Sequence, residues 1–349
     1  MKKLLPAFIC AALTFTISGF LPGCFTDPYS VGTPDSLRSM FSLAWDMVDA
    51  NYASFINRPD VDWDAVFAEW EGQAEGAGNL DELVDVIVGM LGVFEDRQLM
   101  LRRGSSTLLR YDPGYFENFD QEVWLQYMDD WNCAVYDTLR GYAIGYAGQD
   151  SLFGYIGMPR LSEWFIWQEF LGNTTAVREC SGVILDLRAC GGNSNYMNAY
   201  HSSGRFIDTV EPAFYRQFRK GPERCDMEDA KLVWTGKQGA WQFTVPVVVL
   251  TGRGTDGAGE IVALFVRTQE HVTLMGDETS GSPGIGVAQT LVAQFPSLLL
   301  YTPRFVVYDS DMNPVTAVTP DIAVPVSPAD FAAGVDPVLD AAVQYLLSM

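Results

Sequence analysis

Two short apolar runs, at 182–187 and 245–251, constrain the fold most strongly. Their residues are apolar at successive positions, so both faces must be buried, which is typical of strands in a parallel sheet covered by helices. Helical patterns follow at 195–206 and 258–267, and a further strand pattern follows at 272–275. Strands joined by helices of this length need crossover connections. We therefore predict an α/β core with a largely parallel sheet flanked by helices.

The residues upstream of this core show helical periodicity. Apolar side chains recur at helical spacing, and this pattern predicts an N-terminal helical subdomain at 37–95. Residues 96–153 are rich in aromatic side chains and are interrupted by glycine and aspartate, which predicts a small β-rich or irregular subdomain. The remainder, 154–349, is predicted to form the α/β domain and to end in an amphipathic helix.

The first residues resemble an export signal. Lys2 and Lys3 precede a long apolar run, and the sequence Leu-Pro-Gly-Cys24 that follows resembles a bacterial lipobox with Cys24 as the lipidated residue. We expect residues 1–23 to be a signal peptide and 24–36 a tether, which places the protein in a bacterial cell envelope, in the periplasm or on the outer membrane. An ordinary secretory signal and an uncleaved anchor are the alternatives.

The balance of charges limits the partners. The 349-residue chain carries a formal net charge of −22. Nucleic acids and anionic lipid surfaces are themselves negative, so an acidic surface disfavours both. We expect no nucleic-acid partner, and contact with a membrane only through the lipid anchor.

Four of the six cysteines, Cys133, Cys180, Cys190 and Cys225, lie beyond the signal and the lipobox. They form no Cys-x-x-Cys pair, and no histidine cluster accompanies them, which argues against a zinc site. We expect neither a metal nor another cofactor. Export permits disulfides, and the three possible pairings of four cysteines remain open.

Six segments, taken in order, resemble the tail-specific (C-terminal-processing) serine peptidase family, on the branch that includes the tricorn core and interphotoreceptor retinoid-binding protein. The segments are 45–70, 182–192, 245–266, 274–284, 317–324 and 334–346. The resemblance implies a ClpP/crotonase-like core, peptide ligands and catalysis by a serine. Many members of the family insert a PDZ domain, but 96–153 is too short for a complete one.

The nucleophile of the family is missing. The family pattern is Thr-x-Ser-Ala-x-Glu, and Thr255, Ala258 and Glu260 match it, whereas Gly257 occupies the serine position. The 19-residue step from Gly257 to Gly276 fits the spacing of the family. A serine peptidase needs a hydroxyl nucleophile, so this position is degenerate.

The partner positions have also changed. Gln98 stands where one branch has a histidine, Glu278 where the other has a lysine, and Pro314 near the place of an acidic residue. The only histidines, His201 and His271, match neither position. With the nucleophile and both bases replaced, the resemblance predicts a peptidase-like protein whose hydrolytic activity is impaired.

Part of the oxyanion-binding framework is retained. Backbone N–H groups at Gly191, Gly192 and Ala258 are candidates for oxyanion or peptide binding. Cys190 is a second candidate nucleophile, although no basic residue lies near it in sequence to lower its pKa. We expect Asp186 and Arg188 to form a structural ion pair at the end of a strand.

The sequence therefore predicts an exported, serine-peptidase-like protein that retains a cleft for an extended peptide or a protein C-terminus. One alternative is an active serine-type endopeptidase with a displaced nucleophile, for which Thr255, Ser280 and Ser282 supply the nearest hydroxyls. Another is a structural or interaction lipoprotein in which the old cleft has no role.

Overall fold

The computed structural model of the chain describes residues 37–138, 141–148, 152–158, 160–161, 166–191, 196–292 and 295–349. The predicted signal peptide, tether and lipidation site at Cys24 lie outside these residues, as does Gly192. Within these ranges, no helix combines the length and the apolar character needed to cross a membrane.

Three helices open the described chain: α1 (Leu37–Asn51), α2 (Trp63–Gly76) and α3 (Leu80–Gly92). The carboxylate of Asp62 accepts a hydrogen bond from the first turn of α2, and the side chain of Asn79 does the same for α3. These N-caps satisfy donors that have no partner inside the helix, so the starts of α2 and α3 follow from local sequence. The predicted N-terminal helices are present.

The strands are β1 (Met100–Arg103), β2 (Ser106–Leu109), β3 (Ala134–Asp137), β4 (Tyr142–Ala147), β5 (Phe153–Gly157), β6 (Gly182–Asp186), β7 (Pro212–Phe218), β8 (Lys231–Trp234), β9 (Val247–Thr251), β10 (Val272–Gly276), β11 (Gly286–Val292), β12 (Phe295–Pro303), β13 (Phe305–Tyr308) and β14 (Ile322–Ala323). The further helices are α4 (Gln121–Asp130), α5 (Trp167–Asn173), α6 (Tyr196–Ser203), α7 (Ala258–Val266), α8 (Pro328–Ala332) and α9 (Pro337–Leu347).

A seven-stranded sheet forms the centre, in the order β14-β10-β9-β6-β5-β4-β3. The strands from β14 to β5 pair in parallel, and β4 and β3 are added antiparallel. Every residue of β6 and β9 is buried. One face packs against α6 and α7, and the other packs against α4 and α9. The predicted α/β fold with a largely parallel sheet flanked by helices is confirmed.

Residues 96–153 do not form a separate unit in the structure. β1 and β2 join β11 and β12 in a four-stranded sheet that packs on the N-terminal helices, whereas β3 and β4 extend the central sheet. Isolated two-stranded hairpins are marginally stable in water, so these short strands gain their stability from partners far along the chain.

An unpredicted helix, α4, lies in this aromatic-rich stretch. Its N-cap, Asp120, accepts hydrogen bonds from the N–H groups of Glu122 and Val123. Trp124 is fully buried, and its indole N–H donates to the Tyr155 hydroxyl at 2.7 Å. Aromatic residues favour strands, but here packing on the central sheet and the Asp120 cap select a helix.

Candidate functional site

The candidate site lies at the carboxyl ends of β6, β9 and β10, the edge of a parallel sheet at which ligands usually bind. The turn after β9 runs through 252–257 into α7, and the turn after β6 runs through 187–191. A side chain on Gly259 would bring its Cβ 2.1 Å from the carbonyl oxygen of Cys190. The start of α7 therefore lies directly against the turn that follows β6.

Gly257 is the N-cap of α7, with φ 50° and ψ −106°. This backbone conformation suits glycine and is strained for other residues. Ala258 follows as the first residue of the helix and is fully buried. Close by, a Cβ on Gly191 would lie 2.8 Å from a carboxylate oxygen of Asp256. The structure thus brings together three of the predicted positions, Gly191, Gly257 and Ala258.

Glu260, fully buried in the first turn of α7, ties that helix to the loop at 279–282. Its carboxylate accepts hydrogen bonds from the hydroxyl of Thr279 at 2.6 Å and from the N–H groups of Gly281 at 2.9 Å and Ser282 at 3.0 Å. The N–H of Gly257 is a further donor, at 3.0 Å. Burial raises the pKa of Glu260 to about 7, and these donors oppose the shift.

The hydroxyl of Thr255 is fully buried and occupied by backbone contacts. It donates to the carbonyl of Leu187 at 2.9 Å and accepts from the N–H of Gly252 at 3.1 Å. These bonds join the turn after β9 to the end of β6. The residue thus has the environment of a turn-stabilising threonine.

The two serines contact carboxylates. The hydroxyl of Ser280 lies 3.4 Å from Glu260, and that of Ser282 lies 3.3 Å from Asp96. Asp96 also accepts from the Tyr52 hydroxyl at 2.9 Å and from the N–H of Gln98 at 2.8 Å. Burial raises the pKa of Asp96. Asp96 could not be singled out from the sequence, because its partners Tyr52 and Ser282 lie far from it along the chain.

A cavity of about 470 Å³ lies between the N-terminal helices and the later loops, and Tyr52, Asp96, Gln98 and Ser282 contribute to its wall. Gln98 is buried, and its side-chain carbonyl has no hydrogen-bond partner among the described residues. An unpartnered buried acceptor costs free energy.

The other two degenerate positions have different surroundings. The carboxylate of Glu278 pairs with the guanidinium of Arg253 at 3.0 Å. Pro314 is exposed and forms an isolated β-bridge with Tyr308, and the residues that follow it, Val315 and Thr316, line the 470 Å³ cavity. The structure therefore brings Gln98 and Ser282 to one cavity and leaves Pro314 at its periphery.

A buried ionic network supports the turn after β6. Asp186 accepts hydrogen bonds from Tyr155 at 3.0 Å and from Arg188, whose guanidinium also contacts Asp336 at 2.9 Å. Asp336 in turn caps α9 by accepting from the N–H group of Leu339. The structure therefore places Asp186 and Arg188 in an ion pair that joins the closing helix to the central sheet.

Cys190 lies in the same turn and is fully buried. Burial raises the pKa of its thiol to about 12, so the thiolate that a nucleophile requires is not formed near neutral pH. No disulfide joins the cysteines of the described ranges. In the same part of the chain, no group of acidic, histidine and cysteine side chains is arranged to hold a metal ion.

The sequence matches two family models. Residues 153–324 match Peptidase family S41, and residues 34–92 match the tricorn protease C1 domain. Together the two matches extend over most of the chain and include the central sheet, the turn after β9 and the N-terminal helices. No curated protein matches the sequence significantly.

Several solved structures share the fold. A candidate peptidase from Parabacteroides merdae superposes with a TM-score of 0.72 at 24% identity, over 90% of this chain and 98% of its own. A lipoprotein from Streptococcus agalactiae superposes with a TM-score of 0.59 at 14% identity, over 91% of this chain and 98% of its own. Mature CPAF superposes with a TM-score of 0.60 at 8% identity, over 89% of this chain and 95% of its own. With the family matches and this fold, the chain belongs to peptidase family S41, the tail-specific or C-terminal-processing serine peptidases.

Proposed function

We propose that this protein is a non-hydrolytic member of its family that binds an extended peptide or a protein C-terminus. The observation that carries the proposal is the position of Gly257. It is the N-cap of α7 in the turn after β9, where the family pattern has its serine, and it has no side chain to attack a carbonyl.

The neighbouring groups support a loss of hydrolysis. The hydroxyl of Thr255 is buried and engaged in two backbone contacts. Gln98, at the histidine position of one branch, carries an amide that cannot act as a base near neutral pH. Glu278, at the lysine position of the other branch, is paired with Arg253. The alternative of a displaced nucleophile has its best candidate in Ser282, whose hydroxyl contacts Asp96 and which, unlike Ser280, lines the 470 Å³ cavity.

A retained binding cleft is supported by the 470 Å³ cavity, which has Gln98 and Ser282 in its wall. Peptides that add to a protein in extended form are held chiefly through their backbone N–H and C=O groups. The backbone donors of Gly191 and Ala258 do not line this cavity and are candidates for contacts to a bound peptide beyond it, as is Gly192, which lies outside the described residues.

The proposal includes export and lipid attachment at Cys24, based on the lipobox-like sequence. A structurally similar protein is a lipoprotein of Streptococcus agalactiae, which agrees with an envelope location. Labelling of the expressed protein with a radioactive or clickable fatty acid, compared with Cys24→Ser, tests this part by itself.

Hydrolysis of an unfolded protein and of C-terminal peptides by the purified protein tests the central claim. We expect no hydrolysis above the Gly257→Ala background, because loss of triad members lowers rates by about 10⁴- to 10⁶-fold. Gly257→Ser combined with Gln98→His tests how much of the rest of the site survives. A peptide-array measurement with the parent protein then separates peptide binding from the alternative of a purely structural lipoprotein.

Clear hydrolysis by the parent protein would contradict the proposal, and its loss in a Ser282→Ala or Thr255→Val variant that is still folded would establish a displaced nucleophile. Absence of both hydrolysis and peptide binding would favour the structural lipoprotein.

A further inference from the structure

A second cavity, of about 380 Å³, opens beside the turn after β6. Its wall is unusual for so acidic a chain, because four arginines and one acid contribute to it together with the backbone of the turn. These residues are Arg97, Arg110, Arg160, Arg188, Glu117 and Gly191. Arg97 and Gln98 are adjacent in sequence but line different cavities, so this segment separates the arginine-lined cavity from the 470 Å³ cavity.

The charge of Arg188 is already compensated inside the protein. Its guanidinium contacts Asp186 at 2.8 Å and Asp336 at 2.9 Å, and all three groups are buried. Arg188 therefore forms a structural part of the wall.

Arg97 and Arg110 retain donors without acceptors. Arg97 is only 9% exposed; one terminal nitrogen donates to the carbonyl of Arg253, and another lies 3.9 Å from Glu117. Arg110 pairs with the buried carboxylate of Asp256. The Nε atoms of both arginines are nevertheless buried and have no hydrogen-bond partner among the described residues. Such donors are costly unless an acceptor reaches them.

The arginines also repel one another. Burial lowers the pKa of Arg110 to about 10, and the charges of Arg97 and Arg160 add to this effect. Among the described residues of the wall the one acid is Glu117, whose half-exposed carboxylate lies 3.9 Å from Arg97, beyond hydrogen-bonding distance. An anion inside the cavity would reduce this repulsion.

We propose that this cavity is a binding site for a small oxyanion, a carboxylate or a phosphate, held between Arg97, Arg110 and Arg160. Guanidinium groups present paired N–H donors that match the oxygens of both anions. The volume is that of a small-molecule site. The site does not depend on the peptide-binding proposal, because free anions alone can test it.

Isothermal titration calorimetry in chloride-free buffer tests the site with three probes: glutarate, inorganic phosphate, and glutaramide as the neutral counterpart of glutarate. We expect saturable binding of at least one anion and none of glutaramide. Stronger binding of glutarate identifies a carboxylate ligand, and stronger binding of phosphate identifies a phosphate ligand.

Two variants are expected to move the affinity in opposite directions. Arg97→Gln removes a charge-assisted donor and should weaken binding about tenfold or more. Glu117→Gln removes a negative charge from the wall and should strengthen binding roughly fivefold. Arg178→Gln is the matched control for Arg97→Gln, because it removes the same positive charge at an arginine that is not part of this wall.

Glu117→Gln keeps the test decisive even if Arg97→Gln fails to fold, because the Glu117 side chain is half exposed. The absence of anion binding by the folded parent would overturn the proposal. Equal affinities for the parent, Arg97→Gln and Glu117→Gln would also overturn it, since the anion would then bind elsewhere.

Discussion

The backbone N–H of Gly257 donates a 3.0 Å hydrogen bond to the buried carboxylate of Glu260, three residues further along. This contact holds the first turn of α7 and the backbone that in the family carries the nucleophile. The same carboxylate binds the 279–282 loop, so one buried acid organises both sides of the candidate site.

The backbone at Gly257 predicts a cost for any side chain there. Its φ of 50° with ψ of −106° lies in a region that other residues rarely adopt. Gly257→Ala and Gly257→Ser should therefore each lower the free energy of unfolding by about 1–3 kcal/mol. Urea denaturation measures this loss. Gly172→Ala, in α5 with open space around its Cβ, is the control and should not destabilise the protein. Equal stability of the parent and both Gly257 variants would show that the turn relaxes.

We predict that the side chain of Thr255 contributes to the stability of the fold. Thr255→Val leaves the N–H of Gly252 without its partner and removes one of two donors to the carbonyl of Leu187, which also accepts from the N–H of Cys190, at a cost of about 1–3 kcal/mol. Thr255→Ser keeps the hydroxyl and loses one buried methyl group, at about 1 kcal/mol. Urea denaturation of the two variants compares them. A smaller loss for Thr255→Val than for Thr255→Ser would contradict the role assigned to these hydrogen bonds.

The raised pKa of Glu260 predicts that the stability of the protein depends on pH. Its pKa is raised from 4.5 to about 7 in the folded protein, chiefly by burial. Between these values the folded state holds a proton that the unfolded state has lost. The contribution of Glu260 to the free energy of unfolding, about 3 kcal/mol, is therefore fully present below pH 4.5 and is lost as the pH rises through 7.

Urea unfolding at pH 5 and pH 8 tests this dependence. The parent should lose about 2.5 kcal/mol more between these pH values than Glu260→Gln does. Glu270→Gln, at an exposed position, should behave like the parent. An equal pH dependence in the parent and in Glu260→Gln would mean that Glu260 is ionised throughout.

The buried network around Arg188 predicts a large loss of stability on substitution. Arg188→Met leaves the carboxylates of Asp186 and Asp336 buried without their cation, which should cost about 3–5 kcal/mol. The thermal midpoint and the urea midpoint should both fall. Arg38→Met removes two ion pairs at the surface between α1 and α2 and should leave both midpoints unchanged. A loss as small as that of Arg38→Met would show that Arg188 is not needed to neutralise the two acids.

Sequence by itself determined the architecture of the centre. The runs that became β6 and β9 are apolar on both faces, and this pattern suits strands buried in a parallel sheet. Asp62 and Asn79 likewise mark the starts of two helices, because N-cap bonds are local. The replacement of the serine by Gly257 is also visible in the chain alone.

Tertiary structure decided the features that depend on distant contacts. The choice of a helix for α4 depends on packing against the central sheet, and the strands at 96–153 divide between two sheets because their partners lie elsewhere in the chain. Arg110 and Asp256 are 146 residues apart in sequence yet form one ion pair. No local pattern encodes such an encounter, because side chains meet across the carboxyl ends of the strands only after the sheet has brought their loops together. The arginine-lined cavity is therefore formed by the tertiary structure and could not be predicted from the sequence.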